Sequence, residues 1–237
     1  MIIECIVNWR PFIYIANLIF ISILPLICYT MSTQAGHSAP YLSTISANYM
    51  HFPERLLFFI GSGVFVTVHY TTTKLVSSRL IKKKLPALFA ARLEMLLLAV
   101  FFTIAAIPAH IVLGLHATLM GLLAGVILLW MHTLQEYTYQ GRLTDQIRQA
   151  LFVAACVMAF GMIVSYPHQI IFELGAARAD MAKRLHLLGL DDRWLVFAHF
   201  EWVFFYIVIL FFATLVTALT NHNQRRSKKQ LRSTKRK

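Results

Sequence analysis

Apolar residues in this 237-residue chain gather into long runs separated by polar stretches. The runs fall at Phe12–Thr30, Leu56–Leu75, Leu93–Ala109, Ile111–Met131, Ala150–Val164 and Leu195–Leu219. A bilayer is crossed by a helix of about 20 apolar residues, so each run predicts a transmembrane helix. The third and fourth runs are nearly continuous. As one helix, Leu93–Met131 would extend about 58 Å, twice the hydrocarbon core. The chain is therefore expected to fold back at Pro108-Ala109-His110. The predicted fold is all-α, a polytopic integral membrane protein with six transmembrane helices in residues 1–220. A cleaved signal peptide competes for the first run, with small residues at Thr33-Gln34-Ala35. The length of the run, and a flank carrying Glu4 and only Arg10, favour a retained helix.

Composition agrees with this pattern. Hydrophobic residues make up 58%, charged residues 14%, and the mean hydropathy is +0.64. Soluble domains carry about 25% charged residues, and the same figures exclude disorder, coiled coil and collagen. The net charge of +12 sits beside apolar spans, which points to topology and anionic lipid rather than nucleic acid. With six spans, seventeen Lys and Arg flank them on the side of the termini and five on the other. The positive-inside rule then places both termini in the cytosol. The clusters Lys82, Lys83, Lys84 and Arg225, Arg226, Lys228, Lys229 would face anionic lipids there. Residues 221–237 are expected to form a basic, disordered cytosolic tail.

Two non-cytosolic segments are long. Met31–Glu54 ends in Pro53-Glu54-Arg55, where Pro and an acid suit the first turn of the second helix. Ser165–Trp194 looks partly amphipathic, and Asp191-Asp192 can cap the sixth helix.

Catalytic signatures such as GxSxG, HExxH, Walker A and GxGxxG are absent, and Cys5, Cys28 and Cys156 have no metal or CxxC spacing. No cofactor or metal is expected, and no enzymatic activity. Ionisable groups inside spans are expensive and so become candidates for a site. Glu201, with His199 near it, and His116 fall at similar depth in the sixth and fourth helices. The sequence suggests a Glu201–His116 pair, either a structural polar contact or a functional site. A His facing an acidic lumen could also sense pH, its unperturbed pKa being about 6.5. Glu94, His69 and His132 are expected at wet cytosolic helix ends. Gly121 and Gly125 form a GxxxG that permits close helix packing.

Tyr29–Glu54 resembles the first luminal loop of the DRAM proteins, the damage-regulated autophagy modulators, within the wider FRAG/DRAM/SFK six-helix superfamily. The resemblance rests on Gly36, His37, Pro40, Leu42, Ile45, Ser46, Pro53 and Glu54. His116, Trp130 and Gln135 resemble the family's fourth helix, and Glu201-Trp202 its last. Ser43–Tyr49 departs from the family pattern by lacking its acid and Gly. The resemblance implies a non-enzymatic multi-pass protein that promotes autophagy in lysosomal or endosomal membranes. Other branches imply GPI-anchor lipid remodelling, or phospholipid or sterol distribution, in the ER, Golgi or plasma membrane.

Overall fold

A computed structural model of the chain describes residues 2–38, 43–73, 81, 83–107, 113–138, 141–166 and 192–234. For residues 2–10, 73, 113–114, 192–194 and 217–234 the description is of the backbone alone. Six α-helices follow one another: α1 (Ile2–Gln34), α2 (Glu54–Thr73), α3 (Lys84–Ala106), α4 (Leu113–Tyr137), α5 (Arg142–Ser165) and α6 (Asp192–Thr234). A short 3-10 turn, Ser46–Tyr49, lies between α1 and α2. No strand occurs among the described residues. Pro40, Lys82, the predicted bend Pro108-Ala109-His110, Asp191, and positions 167–191 of the amphipathic segment lie outside the described residues.

Local chemistry explains most helix limits. α1 closes on Gly36, whose φ of 68° is left-handed. His37 N–H donates to Ser32 O at 2.8 Å and Gly36 N–H to Thr33 O at 3.2 Å, the paired bonds of a glycine-terminated helix. α2 opens at Glu54, directly after Pro53. α3 ends at Ala106, with Ile107 extended, because a residue before proline is disfavoured in the α region. The fifth helix begins at Arg142, eight residues earlier than its apolar run, and so takes in Arg148. The sixth runs on to Thr234, where a disordered tail was expected after residue 220. No Pro or Gly interrupts Asn221–Thr234, and its Gln, Arg, Lys and Leu are good helix formers. Of Arg225, Arg226, Lys228 and Lys229 only the backbone is described.

The helices form a closed ring in chain order. Each packs on the next, and α6 returns to α1. Side-chain pairs show neighbours running antiparallel. Tyr14 meets His69, their rings 5.7 Å apart, while further along α1 Leu24 packs on Gly61. His69 reaches Glu94, and Phe59 meets Phe102. Arg148 reaches Thr214, and Gly161 lies against Phe200. Tyr14 reaches Phe212, and Tyr29 meets Trp202. The ring therefore has a loop end, carrying residues 43–50, and a terminal end.

Apolar positions divide by face. Tyr14, Leu18, Ile21, Leu24 and Cys28 of α1 are buried at spacings of three and four, while Phe12, Ile19, Ile23 and Ile27 are exposed. In water such a surface would be an aggregation patch; in a bilayer it meets lipid chains. Among the described residues, five helices are long and apolar enough to cross a membrane: those holding Pro11–Gln34, Lys84–Ala106, Leu115–Tyr137, Arg142–Ser165 and Leu195–Val216. These are features of an integral, multi-pass membrane protein. α2 is diluted by Glu54, Arg55, His69 and its closing threonines. α5 is the most peripheral helix, with 17% of its span buried against 39–44% in the other four.

Candidate functional site

The loop end holds the densest polar cluster. Glu201 lies nine residues into α6, about 13 Å from its start, and is buried. Its Oε2 accepts the Ile45 N–H at 2.9 Å and its Oε1 the Ser46 hydroxyl at 3.2 Å. The first backbone N–H groups of a helical turn have no partner of their own. Here a carboxylate from a distant helix caps the 3-10 turn. The adjacent Trp202 donates its indole N–H to Ser43 O at 2.8 Å. Ser43 in turn donates to Asn48 Oδ1, and Thr44 Oγ1 accepts the Ala47 N–H at 3.2 Å. The segment is thereby tied to α6 at two consecutive residues and folded on itself.

A second contact joins the loop to α2. His37 Nδ1 and Glu54 Oε1 are 3.0 Å apart, with Glu54 almost fully buried. The Cys28 thiol points at Glu54 O from 3.7 Å. Tyr49 stacks on Phe58 with ring centroids 4.0 Å apart. Burial pushes the Tyr49 phenol well above its ordinary range; its side-chain hydrogen bond with Ser46 opposes this and the Glu201 charge adds to it. Among the described residues, Asn48 Nδ2, Glu54 Oε2 and His116 Nε2 are buried with no protein partner.

The expected Glu201–His116 pair is not formed. His116 is buried, but its Nδ1 donates to Ile107 O at 3.2 Å, and its ring lies 6.5 Å from that of Tyr49. The loop comes down between the two residues and supplies Glu201 with a backbone donor instead. His199 is exposed, with Nδ1 donating to Leu195 O, and takes no part in the cluster. Gly36 ends α1, and His37, Ile45, Ser46, Pro53 and Glu54 all lie in or beside the folded loop.

Two further sites were not expected from sequence. His69 and Glu94, assigned to wet helix ends, are buried and 3.1 Å apart. His69 sits among Tyr14, Phe65 and Phe212, so it touches α1 and α6 as well as its own helix and α3. Arg148, which precedes the fifth apolar run, is buried at the terminal end. Its guanidinium donates to Thr138 Oγ1 at 2.8 Å and Thr214 Oγ1 at 2.9 Å, joining α4, α5 and α6. The Thr138 carbonyl, also within reach at 3.4 Å, lies just past the C-terminus of α4, where a cation is favoured.

Gly121 and Gly125 do not support close packing within the chain, since a Cβ at either would meet nothing within 4 Å. The close approaches are at Gly61 and Gly161, where a Cβ would lie 2.6 Å from Leu24 and 2.5 Å from Phe200. Cys28 is buried and Cys156 half-buried. Among the described residues, no three His, Cys, Asp or Glu side chains gather as metal ligands. No family model matches the chain, and no curated protein or solved structure is significantly similar to it.

Proposed function

We propose that the protein is a non-enzymatic, six-span membrane protein of the DRAM type, a modulator of autophagy in lysosomal or endosomal membranes. Both termini lie in the cytosol, and the loop end of the ring faces the lumen. One observation carries this reading. Two stretches that resemble the family, Ile45-Ser46 and Glu201-Trp202, are 155 positions apart in the chain and meet in space. Their side chains and backbone bond directly, so both motifs serve one feature, a luminal loop clamped over the bundle. The basic stretches around Lys82, Lys83 and Lys84, and around Arg225, Arg226, Lys228 and Lys229, attract anionic lipids at the cytosolic face.

The test is location together with autophagic flux. A tagged copy should coincide with lysosomal or endosomal markers, and its removal should lower flux. A Glu201→Ala, Ser46→Ala variant that still reaches the membrane should fail to restore it. Residence in the ER or Golgi with altered surface levels of GPI-anchored proteins would overturn the reading in favour of lipid remodelling.

A further inference from the structure

A groove of about 490 Å³ runs between the opening turns of α3 and the closing turns of α4. That volume falls within the range of about 300–1,000 Å³ typical of small-molecule sites. Leu85, Leu88, Phe89 and Leu129 supply its apolar wall, and Arg92, His132, Thr133 and Glu136 its polar one. Arg92 is the unusual member. It is exposed on the outward face of α3, among the exposed Leu88, Phe89, Met95 and Leu96. Among the described residues it forms no ion pair with a carboxylate. Arg148, at the same end of the ring, instead turns inward to Thr138 and Thr214.

A guanidinium on an apolar, outward-facing surface is costly unless it reaches an anion, and its flat fork suits a phosphate. Glu136, across the groove, is the one carboxylate lining it among the described residues and lies 3.8 Å from His132 of its own helix. Lys83 and Lys84 are exposed about two turns from Arg92, towards the terminal end. The neighbourhood is therefore cationic on balance. In the other direction the α4 ridge continues from Leu129 to Gly125 and Gly121. Both glycines are exposed, with open space above them. That open space continues along α4 in line with the groove.

We propose that the groove holds one anionic glycerophospholipid, its phosphate against Arg92 and an acyl chain along Leu129, Gly125 and Gly121. The inference deepens the reading of the cytosolic face as an anionic-lipid surface, and rests on it for the side of the membrane. It turns a diffuse attraction into a single site and gives the GxxxG stretch a role.

The test uses the full chain in neutral detergent, titrated with phosphatidylglycerol or phosphatidylcholine and followed by native mass spectrometry. One phosphatidylglycerol should be retained about tenfold more tightly than phosphatidylcholine, as expected for one charge-assisted contact. Arg92→Gln should remove that preference. Gly125→Leu should weaken retention without lowering thermal stability, because the space above it is open. Lys228→Gln with Lys229→Gln should leave the retained lipid in place. Equal retention of the two lipids overturns the proposal, as does unchanged retention in both Arg92→Gln and Gly125→Leu. Loss through the tail variant alone would assign the lipid to the surface cluster. A protein dimer that Gly125→Leu disrupts, with lipid retention unaltered, would assign the ridge to a second copy, and either outcome overturns the groove. Detergent has no sides, so failure here leaves the topology and location standing, and an inverted topology would leave binding intact.

Discussion

Glu201 shows how far the partner of a single carboxylate can differ from the one its depth suggests. In an apolar helix it needs hydrogen-bond donors, and the Ile45 N–H and Ser46 hydroxyl supply them. Hydrogen bonds to a charged group contribute about 1.5–3 kcal/mol. Glu201→Ala should therefore destabilise the detergent-solubilised protein by about 3 kcal/mol, since it also leaves the Ile45 N–H buried and unpaired. Glu201→Gln, which keeps one acceptor, should cost about half as much. Thermal melts would check this, and equal melting of the two variants and the unsubstituted protein would refute the clamp. His69 and Glu94 allow a parallel test. In a double-mutant cycle with His69→Ala and Glu94→Ala, the pair should show a coupling of about 1–3 kcal/mol. Additive losses would mean that their 3.1 Å contact contributes nothing. Sequence identified Glu201 and His116 as buried polar groups, because charge inside an apolar run is visible without a fold. It could not show that the 43–50 segment folds in between them. His69 does fall one turn from the end of α2, but on its buried face; Glu94 lies deeper than expected for another reason. The apolar run opens at Leu93, whereas the helix opens at Lys84, so Glu94 lies almost three turns inside.

Among the helices, hydropathy located the six segments but not their ends or contacts. Arg148 falls outside the apolar run, which begins at Ala150, while the helix begins at Arg142 and takes it in. A GxxxG spacing says that a face is smooth, not what lies against it. The structure gives the close approach to Gly161, on the α5 face that meets Phe200 of α6. Gly161→Ala should force that ring to move and cost about 1–3 kcal/mol. Gly125→Ala, made into open space, should be neutral or stabilise by up to about 1 kcal/mol through helix propensity alone. Comparing the two variants by thermal melting separates packing from propensity, and an equal response would remove the packing argument. The basic stretch Asn221–Lys237, which α6 enters as far as Thr234, carries eight Lys and Arg. As an isolated peptide it should bind anionic vesicles, with affinity falling as salt rises, since each cation near such a surface contributes up to about 1 kcal/mol. Equal binding to neutral vesicles would exclude an electrostatic role.

At the scale of the whole molecule, the proposed six-span topology rests on ring geometry and on charge together. Six helices that each run opposite to their neighbours return the chain to its starting side. The contact of Tyr14 with Phe212, and of Tyr29 with Trp202, shows α6 antiparallel to α1. The ring itself has no sidedness, because packing is indifferent to which leaflet is cytosolic. Lys and Arg supply the direction, since translocating them is unfavourable and they stay where synthesis occurs. The terminal end holds the larger share by far, including Lys83, Lys84, Arg142 and the tail. α2 is the test of the argument, because Glu54, Arg55, His69 and its closing threonines dilute its apolar run and it is not among the five spans found in the described residues. If it lay along the surface, the second connection and everything after it would change sides, and the C-terminus would face the lumen. Its two faces argue for a spanning position: Phe58, Ser62, Phe65 and His69 are buried, while Leu56, Ile60 and Val64 are exposed. Epitope tags at both termini and one inserted after Ser38 should therefore divide cleanly in sealed vesicles. The terminal tags should be cut by added protease and the Ser38 tag protected. A protected C-terminal tag beside a cut N-terminal one would show an odd number of spans and overturn the six-span ring.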